Sequence, residues 1–327
     1  MKPILSVLAI LGTTCMATAQ TEDIVNDHIL PGMAALAETG AALSDAAQAD
    51  CSVTSMSLRD AYHAAFDAWI MVSHLRFGPS EVDDRAFALA FWPDSRGATP
   101  RSLAALIRDE DPIAESVAAY AEMSVASRGF YAMEFVLFDE TISAPGNPTY
   151  RCQLVQTIAG DIAATTAAIH DGWVADYAAQ MTNPSDIYQD DREVLQELFK
   201  ALNTGLQFTS ESRLGRPLGT FDAPRPQRAE AWRAGRSARH VTLSLTSLRD
   251  LGALLSGEDE ALLAAFDVAL ARLQELDDPA FAGVATPQNR LEIEIIQQKI
   301  EEIRTIVLQD IGPTLGVSTG FNALDGD

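Results

Sequence analysis

A tyrosine and a glutamate three residues apart, in Gly129-Phe130-Tyr131-Ala132-Met133-Glu134-Phe135, are the residues here whose type and spacing most suggest chemistry. On a helix, positions i and i+3 share a face, so Tyr131 and Glu134 would project together. Their neighbours Phe130, Met133, Phe135, Val136 and Leu137 are apolar. A carboxylate in such surroundings is expensive to bury unless it is paired or holds a cation. Glu134 can therefore pair with an arginine such as Arg76 or Arg128, or it can serve a ligand. Two other segments carry unusual combinations. His74-Leu75-Arg76-Phe77-Gly78-Pro79 ends an aromatic-rich stretch containing Trp69, where a His and an Arg also suit a helix C-terminus. In Phe91-Trp92-Pro93-Asp94-Ser95-Arg96, Trp92 can plug a core and Asp94 can cap a turn.

Generic catalytic motifs are silent. The five histidines (His28, His63, His74, His170 and His240) form no H-E-x-x-H, no serine sits in G-x-S-x-G, and no Gly-rich phosphate loop occurs. Basic residues concentrate in one place. Arg213, Arg216, Arg225, Arg228, Arg233, Arg236 and Arg239 face only Asp222 and Glu230, seven bases minus two acids, net +5 in a chain of net charge −23. This segment either pairs internally with acidic helices or offers an anion-binding face, since arginine forks match carboxylates of a siderophore, haem or uronate polymer.

The elements that must position these residues are helical. Among 327 residues, 47% are apolar and 21% charged, too hydrophobic for a disordered chain. With 46 acids against 23 bases the chain lacks the basic face a nucleic-acid binder needs. Apolar residues recur at three- and four-residue spacing, and few segments alternate. The periodicity predicts helices over 22–48, 57–76, 113–138, 151–181, 187–209, 225–254 and 258–275, with another opening at Thr99-Pro100. The clearest runs from the Thr286-Pro287 cap to Val307, with Leu291, Ile295, Ile296, Ile300, Ile303 and Val307 as its stripe. An all-α fold of two bundles follows, dividing between 182 and 190 into 20–185 and 186–327.

The first residues suggest export. Met1-Lys2, the apolar Pro3 to Leu11 and Ala17-Thr18-Ala19 read as a cleaved signal peptide over 1–19. Gly12-Thr13-Thr14 before Cys15 lacks the aliphatic residue of a lipobox, which disfavours a lipoprotein. No later stretch reaches the roughly 20 apolar residues of a transmembrane helix. Cleavage leaves Cys51 and Cys152, and an isolated pair in an exported protein reads as a disulfide. Closing so long a loop contributes ~4–5 kcal/mol in the chain-entropy account.

Several of these segments together resemble the imelysin-like family, exported bacterial helical proteins associated with iron acquisition and originally classed as metallopeptidases. The resemblance rests on Leu75 to Pro79, Phe91 to Asp94, Gly129 to Phe135, Arg151-Cys152, Leu214 to Gly219, Leu315-Gly316 and the terminal Gly320-Phe321-Asn322-Ala323-Leu324-Asp325-Gly326-Asp327. It implies two helical bundles related by internal duplication. It also implies the metal motif G-x-H-x-x-E, of which Gly129 and Glu134 match while the histidine position is Tyr131. A phenol with pKa near 10 must lose its proton to ligate well, so the pair suits Fe³⁺ rather than Zn²⁺. Alternatively Tyr131 only donates a hydrogen bond to Glu134 and the metal site is lost. His74 could supply the missing imidazole, making Glu134, Tyr131 and His74 the metal candidates. Arg76, Trp92, Asp94, Glu230, Arg233 and Arg236 are the binding candidates, with Glu230 facing the same cleft as Glu134.

The expected function is a non-catalytic periplasmic binding component of iron or haem uptake, with iron, an iron chelate or haem as ligand and a periplasmic or outer-membrane protein as partner. The alternatives are a helical scaffold that docks to a partner, or a metallopeptidase. For the last, the missing motif histidine leaves Glu134 unable to serve as both ligand and base.

Overall fold

The computed structural model describes residues 20–317. The signal-peptide reading of 1–19, Cys15 and the terminal string 320–327 lie outside the described residues.

Helices dominate, and no β-strand occurs among the described residues. The principal ones are α1 (Leu30–Ala49), α2 (Met56–Val72), α3 (Ala98–Asp109), α4 (Gly129–Phe138), α5 (Pro148–Gly172), α6 (Asp191–Gln207), α7 (Ser237–Ser256), α8 (Glu260–Glu275) and α9 (Pro287–Ile306). Their starts follow local chemistry. Ser55, Asn147, Asp190 and Asp259 each accept a backbone N–H of the first turn, and Pro148 and Pro287 open α5 and α9. α1, α2, α4 and α5 pack together, as do α6 to α9, and α2 lies against α7 to join the two groups. Residues 183–190 between Thr182 and α6 are not helical. Among the described residues, no helix is long and apolar enough to cross a membrane.

The disulfide forms as expected. Cys51 and Cys152 are bonded, with Cα atoms 5.1 Å apart, tying the turn before α2 to the first turns of α5. The α9 stripe forms as expected at Ile296, Ile300, Ile303 and Val307, with Ile295 half-buried, and departs from expectation at its start, where Ile293 takes the place of Leu291. Leu291 is 56% exposed, and Ile293, Ile296, Ile300, Ile303 and Val307 are buried. Alternating steps of three and four from Ile293 keep one face, whereas Leu291 lies about 200° away around the axis.

Two expected helices are broken, and both breaks build the site. Residues 113–138 form short turns before α4, because Ser116 and Ser124 cap new turns with their side chains. Gly129 then enters α4 at φ +73°, where a Cβ would lie 2.2 Å from the carbonyl oxygens of Ala88 and Leu89. Only glycine fits that approach. In 225–254 the helix begins at Ser237. Pro224 and Pro226 hold the preceding residues out of the helical region, and Ala231 and Gly235 take positive φ of 48° and 65°.

Candidate functional site

α4 is apolar on every side except at Tyr131 and Glu134, and residues 129–137 are all buried. Such a helix belongs in the middle of the molecule, and α2, α3 and α5 surround it. The irregular segment 229–236 lies over its polar face. Left-handed backbone at Ala231 turns the chain so that the N–H groups of Arg233 and Ala234 donate to Glu134 Oε1, at 2.9 and 3.2 Å. Successive backbone amides of this kind make a small anion cradle. Burial nevertheless outweighs the cradle and the Arg233 charge, and the Glu134 carboxyl is pushed up to about 7.

Tyr131 meets the same segment through Glu230. Its hydroxyl donates to Glu230 Oε1 at 2.5 Å. Arg213 Nε donates to Glu230 Oε2 at 2.7 Å, and His240 Nδ1 lies 3.3 Å from the same oxygen. Thr209, Ser244 and Ser73 accept the remaining Arg213 donors. Burial alone would raise Glu230, but Arg213, His240 and Tyr131 bring its carboxyl down to about 2. Burial and the Glu230 charge hold the Tyr131 phenol well above its ordinary range, so it keeps its proton. The hydrogen bond from Tyr131 to Glu134, one of the two alternatives the sequence offers, goes to Glu230 instead.

Between α4, the 91–100 segment and the 227–233 segment lies a cavity of about 190 Å³. Trp92, Asp94, Tyr131, Glu134 and Arg233, all expected site residues, line it. Trp92 stacks on Tyr131, with ring centroids 6.3 Å apart. Asp94 accepts the N–H of Thr99 at 2.8 Å and of Arg96 at 3.2 Å, the capping role foreseen, and these amides lower its pKa against its partial burial. Two further lining residues, Arg216 and Arg228, belong to the arginine-rich segment noted in the sequence but were not among the individual binding candidates. Arg216 belongs to the Leu214–Gly219 turn, and its guanidinium lies 5.7 Å from the centre of the Trp92 ring. Arg213 and His240, the clamps of Glu230, were likewise not among the candidates.

The other candidates lie elsewhere. His74 is buried against His28, Nε2 to Nε2 at 3.3 Å, and burial keeps both rings neutral, His28 at about 4 and His74 lowered well below 6.5. No hydrogen bond or ring contact among the described residues brings His74 to Tyr131 or Glu134. Arg76 pairs with Glu81 at 2.5 Å, and Arg128 pairs with Asp161 at 2.7 Å, so neither neutralises Glu134. The Arg233 side chain pairs with Asp139 at 2.7 Å, and Arg236 pairs with Asp67. Arg239 also reaches Asp67, at 3.3 Å. Internal pairing thus occupies Arg213, Arg233, Arg236 and Arg239.

A bare metal ion finds little to hold it here. Glu134 is drawn toward neutrality and has one oxygen in its amide cradle, Tyr131 is protonated and engaged, and three arginines, Arg216, Arg228 and Arg233, share the cavity wall. Among the described residues, no group of three or more His, Cys, Asp or Glu side chains is placed to hold a metal ion. What the arrangement can do is accept a small polar molecule between aromatic walls, arginines and a protonatable carboxyl.

An all-α bundle with an irregular loop closing a polar pocket over a buried glutamate defines the class of protein. Sequence similarity is more specific: the imelysin family matches residues 29–307, and the chain belongs to that family. No curated protein matches the chain significantly. Among solved structures, an imelysin-like protein from Psychrobacter arcticum 273-4 is similar at TM-score 0.78 and 20% identity, over 94% of this chain and 98% of that one. The "putative iron-regulated protein A precursor" of Parabacteroides distasonis ATCC 8503 is similar at TM-score 0.74 and 14% identity, over 90% and 94%. These likenesses support the fold.

Proposed function

We propose that this imelysin-family chain is an exported, periplasmic, non-catalytic binding component of iron acquisition, holding its cargo in the cavity between Trp92 and Glu134. The observation that carries this reading is the cavity itself, at the junction of Trp92, Asp94, Tyr131 and Glu134. The family match and the printed name of the Parabacteroides distasonis relative support iron as the cargo element. At about 190 Å³ the space is smaller than the roughly 300–1,000 Å³ of sites that enclose drug-sized ligands. That favours a small iron chelate over enclosed haem, and the arginine-bearing wall favours a chelate over a bare ion.

Isothermal titration of chelator-stripped protein with ferric citrate, Fe²⁺ and haemin tests this. Ferric citrate is expected to bind, and Trp92→Ala and Glu134→Ala to weaken it without unfolding the protein. A second reading is a helical scaffold that docks to a partner and has lost the metal site, favoured by the engagement of the Tyr131 hydroxyl with Glu230. Absence of binding to all three ligands would select the scaffold.

A further inference from the structure

Four of the seven clustered arginines are engaged by acids: Arg213 by Glu230, Arg233 by Asp139, and Arg236 and Arg239 by Asp67. Arg216, Arg225 and Arg228 have no acidic partner among the described residues. Arg225 is exposed and does not line the cavity, whereas Arg216 and Arg228 do. Arg216 is the more unusual. Its Nε is buried without a hydrogen-bond partner, and burial together with the nearby Arg228 charge lowers its pKa. A buried donor left unmade costs about 1–3 kcal/mol, and two cations facing one cavity add repulsion. An anion in the cavity relieves both.

We propose that Arg216 and Arg228 form a carboxylate-binding end of this cavity, which takes a small organic acid whose body rests against Trp92 and Phe135. This deepens the cargo reading by naming the chemistry of one end of the same pocket. Guanidinium forks match the two oxygens of a carboxylate. Phosphate offers the same oxygens, but the Trp92 and Phe135 rings on the cavity wall give an organic body the apolar contact that inorganic phosphate does not use. Glu134, also on the cavity wall, keeps part of its proton near neutral pH and can donate to a second carboxylate of the ligand. Asp94, another lining residue, opposes excess negative charge, which suits a small acid better than a polyanion.

Metal-free citrate is the probe, titrated calorimetrically into the full chain beside Arg216→Gln, Arg228→Gln and, as a control, Arg225→Gln. The expected result is binding that weakens roughly ten- to a hundredfold in each cavity variant, the loss of one charge-assisted hydrogen bond or more. Arg225→Gln should bind as the wild type does. Because Arg228 is exposed, its variant reads the site even where Arg216→Gln lowers the melting temperature. No citrate binding by the wild type, unchanged affinity in both cavity variants, or equal affinity for inorganic phosphate with the same arginine dependence overturns the proposal. Ferric citrate titrated beside metal-free citrate separates the two claims. Ferric citrate bound but no metal-free citrate defeats this proposal and leaves the cargo reading, whereas metal-free citrate bound but no iron species does the reverse.

Discussion

Glu134, one turn along the helix from Tyr131, and Glu230, which accepts the Tyr131 hydroxyl, are each 2% exposed, yet their surroundings differ in kind. Glu230 meets a full guanidinium, an imidazole and a phenol, every one a side chain that rewards its charge. Glu134 meets two backbone amides on one oxygen and a cavity beside the other, and the nearest guanidinium, Arg233, is committed to Asp139. Burial is the same, but the balance goes opposite ways: to about 2 for Glu230 and to about 7 for Glu134. The lesson is that a buried acid is structural where its partners are complete and available for binding where they are not.

The difference can be broken most severely at the clamp. Arg213→Met strands the Glu230 charge, and loss of a buried partner costs about 3–5 kcal/mol. Denaturant unfolding should show a loss of that size, with the midpoint recovering as Glu230 is protonated in acid. A smaller loss would mean that solvent reaches the cluster.

The pH dependence of stability comes next, and the two acids contribute with opposite signs. Glu134 binds its proton more tightly folded than unfolded, so its contribution is full below about pH 4.5 and is lost as pH rises to about 7. At about 1.36 kcal/mol per pKa unit this amounts to roughly 3 kcal/mol. Glu230, lowered, contributes above about pH 4.5 and loses that contribution as pH falls toward 2. His28 and His74, held neutral, lose stability as pH falls below about 6.5 and partly mask the Glu134 slope. Glu134 itself faces Arg233, Glu230 and Tyr131, with Asp94, Arg216 and Arg228 across the cavity. The difference between wild type and Glu134→Gln therefore isolates its share. The variant should gain on the wild type between pH 5 and pH 8, and equal slopes would remove the assigned proton.

Tyr131→Phe removes one donor from a charged acceptor and should cost about 1.5–3 kcal/mol, read by thermal melting. Rescue by Tyr131→His would show that the position tolerates an imidazole facing Glu230. The smallest effect is expected at the cavity wall. Arg228→Gln, at an exposed position with no acidic partner among the described residues, should change stability by no more than about 0.5 kcal/mol, so that its effect on binding stands apart from folding.

Much of the fold was legible because it rests on local rules. Cap residues, proline at helix starts and three-four spacing mark α5, α8 and α9, and Cys51 and Cys152 pair as expected. Tyr131, Glu134, Trp92 and Asp94 do converge on one cavity, whereas Glu230, expected to face the same cleft as Glu134, does not line it and instead accepts the Tyr131 hydroxyl. What local pattern could not show is which acids satisfy which arginines. Asp67 and Asp139 lie in the first half of the chain and take Arg236, Arg239 and Arg233 from the second. Arg216 and Arg228 stand out only once those pairs are known. The loop over Glu134 was read as helix because Ala229 to Ala234 are good helix formers apart from their context. Pro224 and Pro226 were the signal against it. His74 appeared near the site through its matched segment, but the turn after α2 carries it to His28.

The measurement that tests this contrast most directly is infrared difference spectroscopy of wild type against Glu134→Gln across pH 5 to 9, following the protonated carboxyl band. The account predicts one buried carboxylic acid, absent from the variant, that disappears with a midpoint near 7, while Glu230→Gln removes no such band. A Glu134 ionised throughout that range would contradict it and return the residue to the same structural role as Glu230.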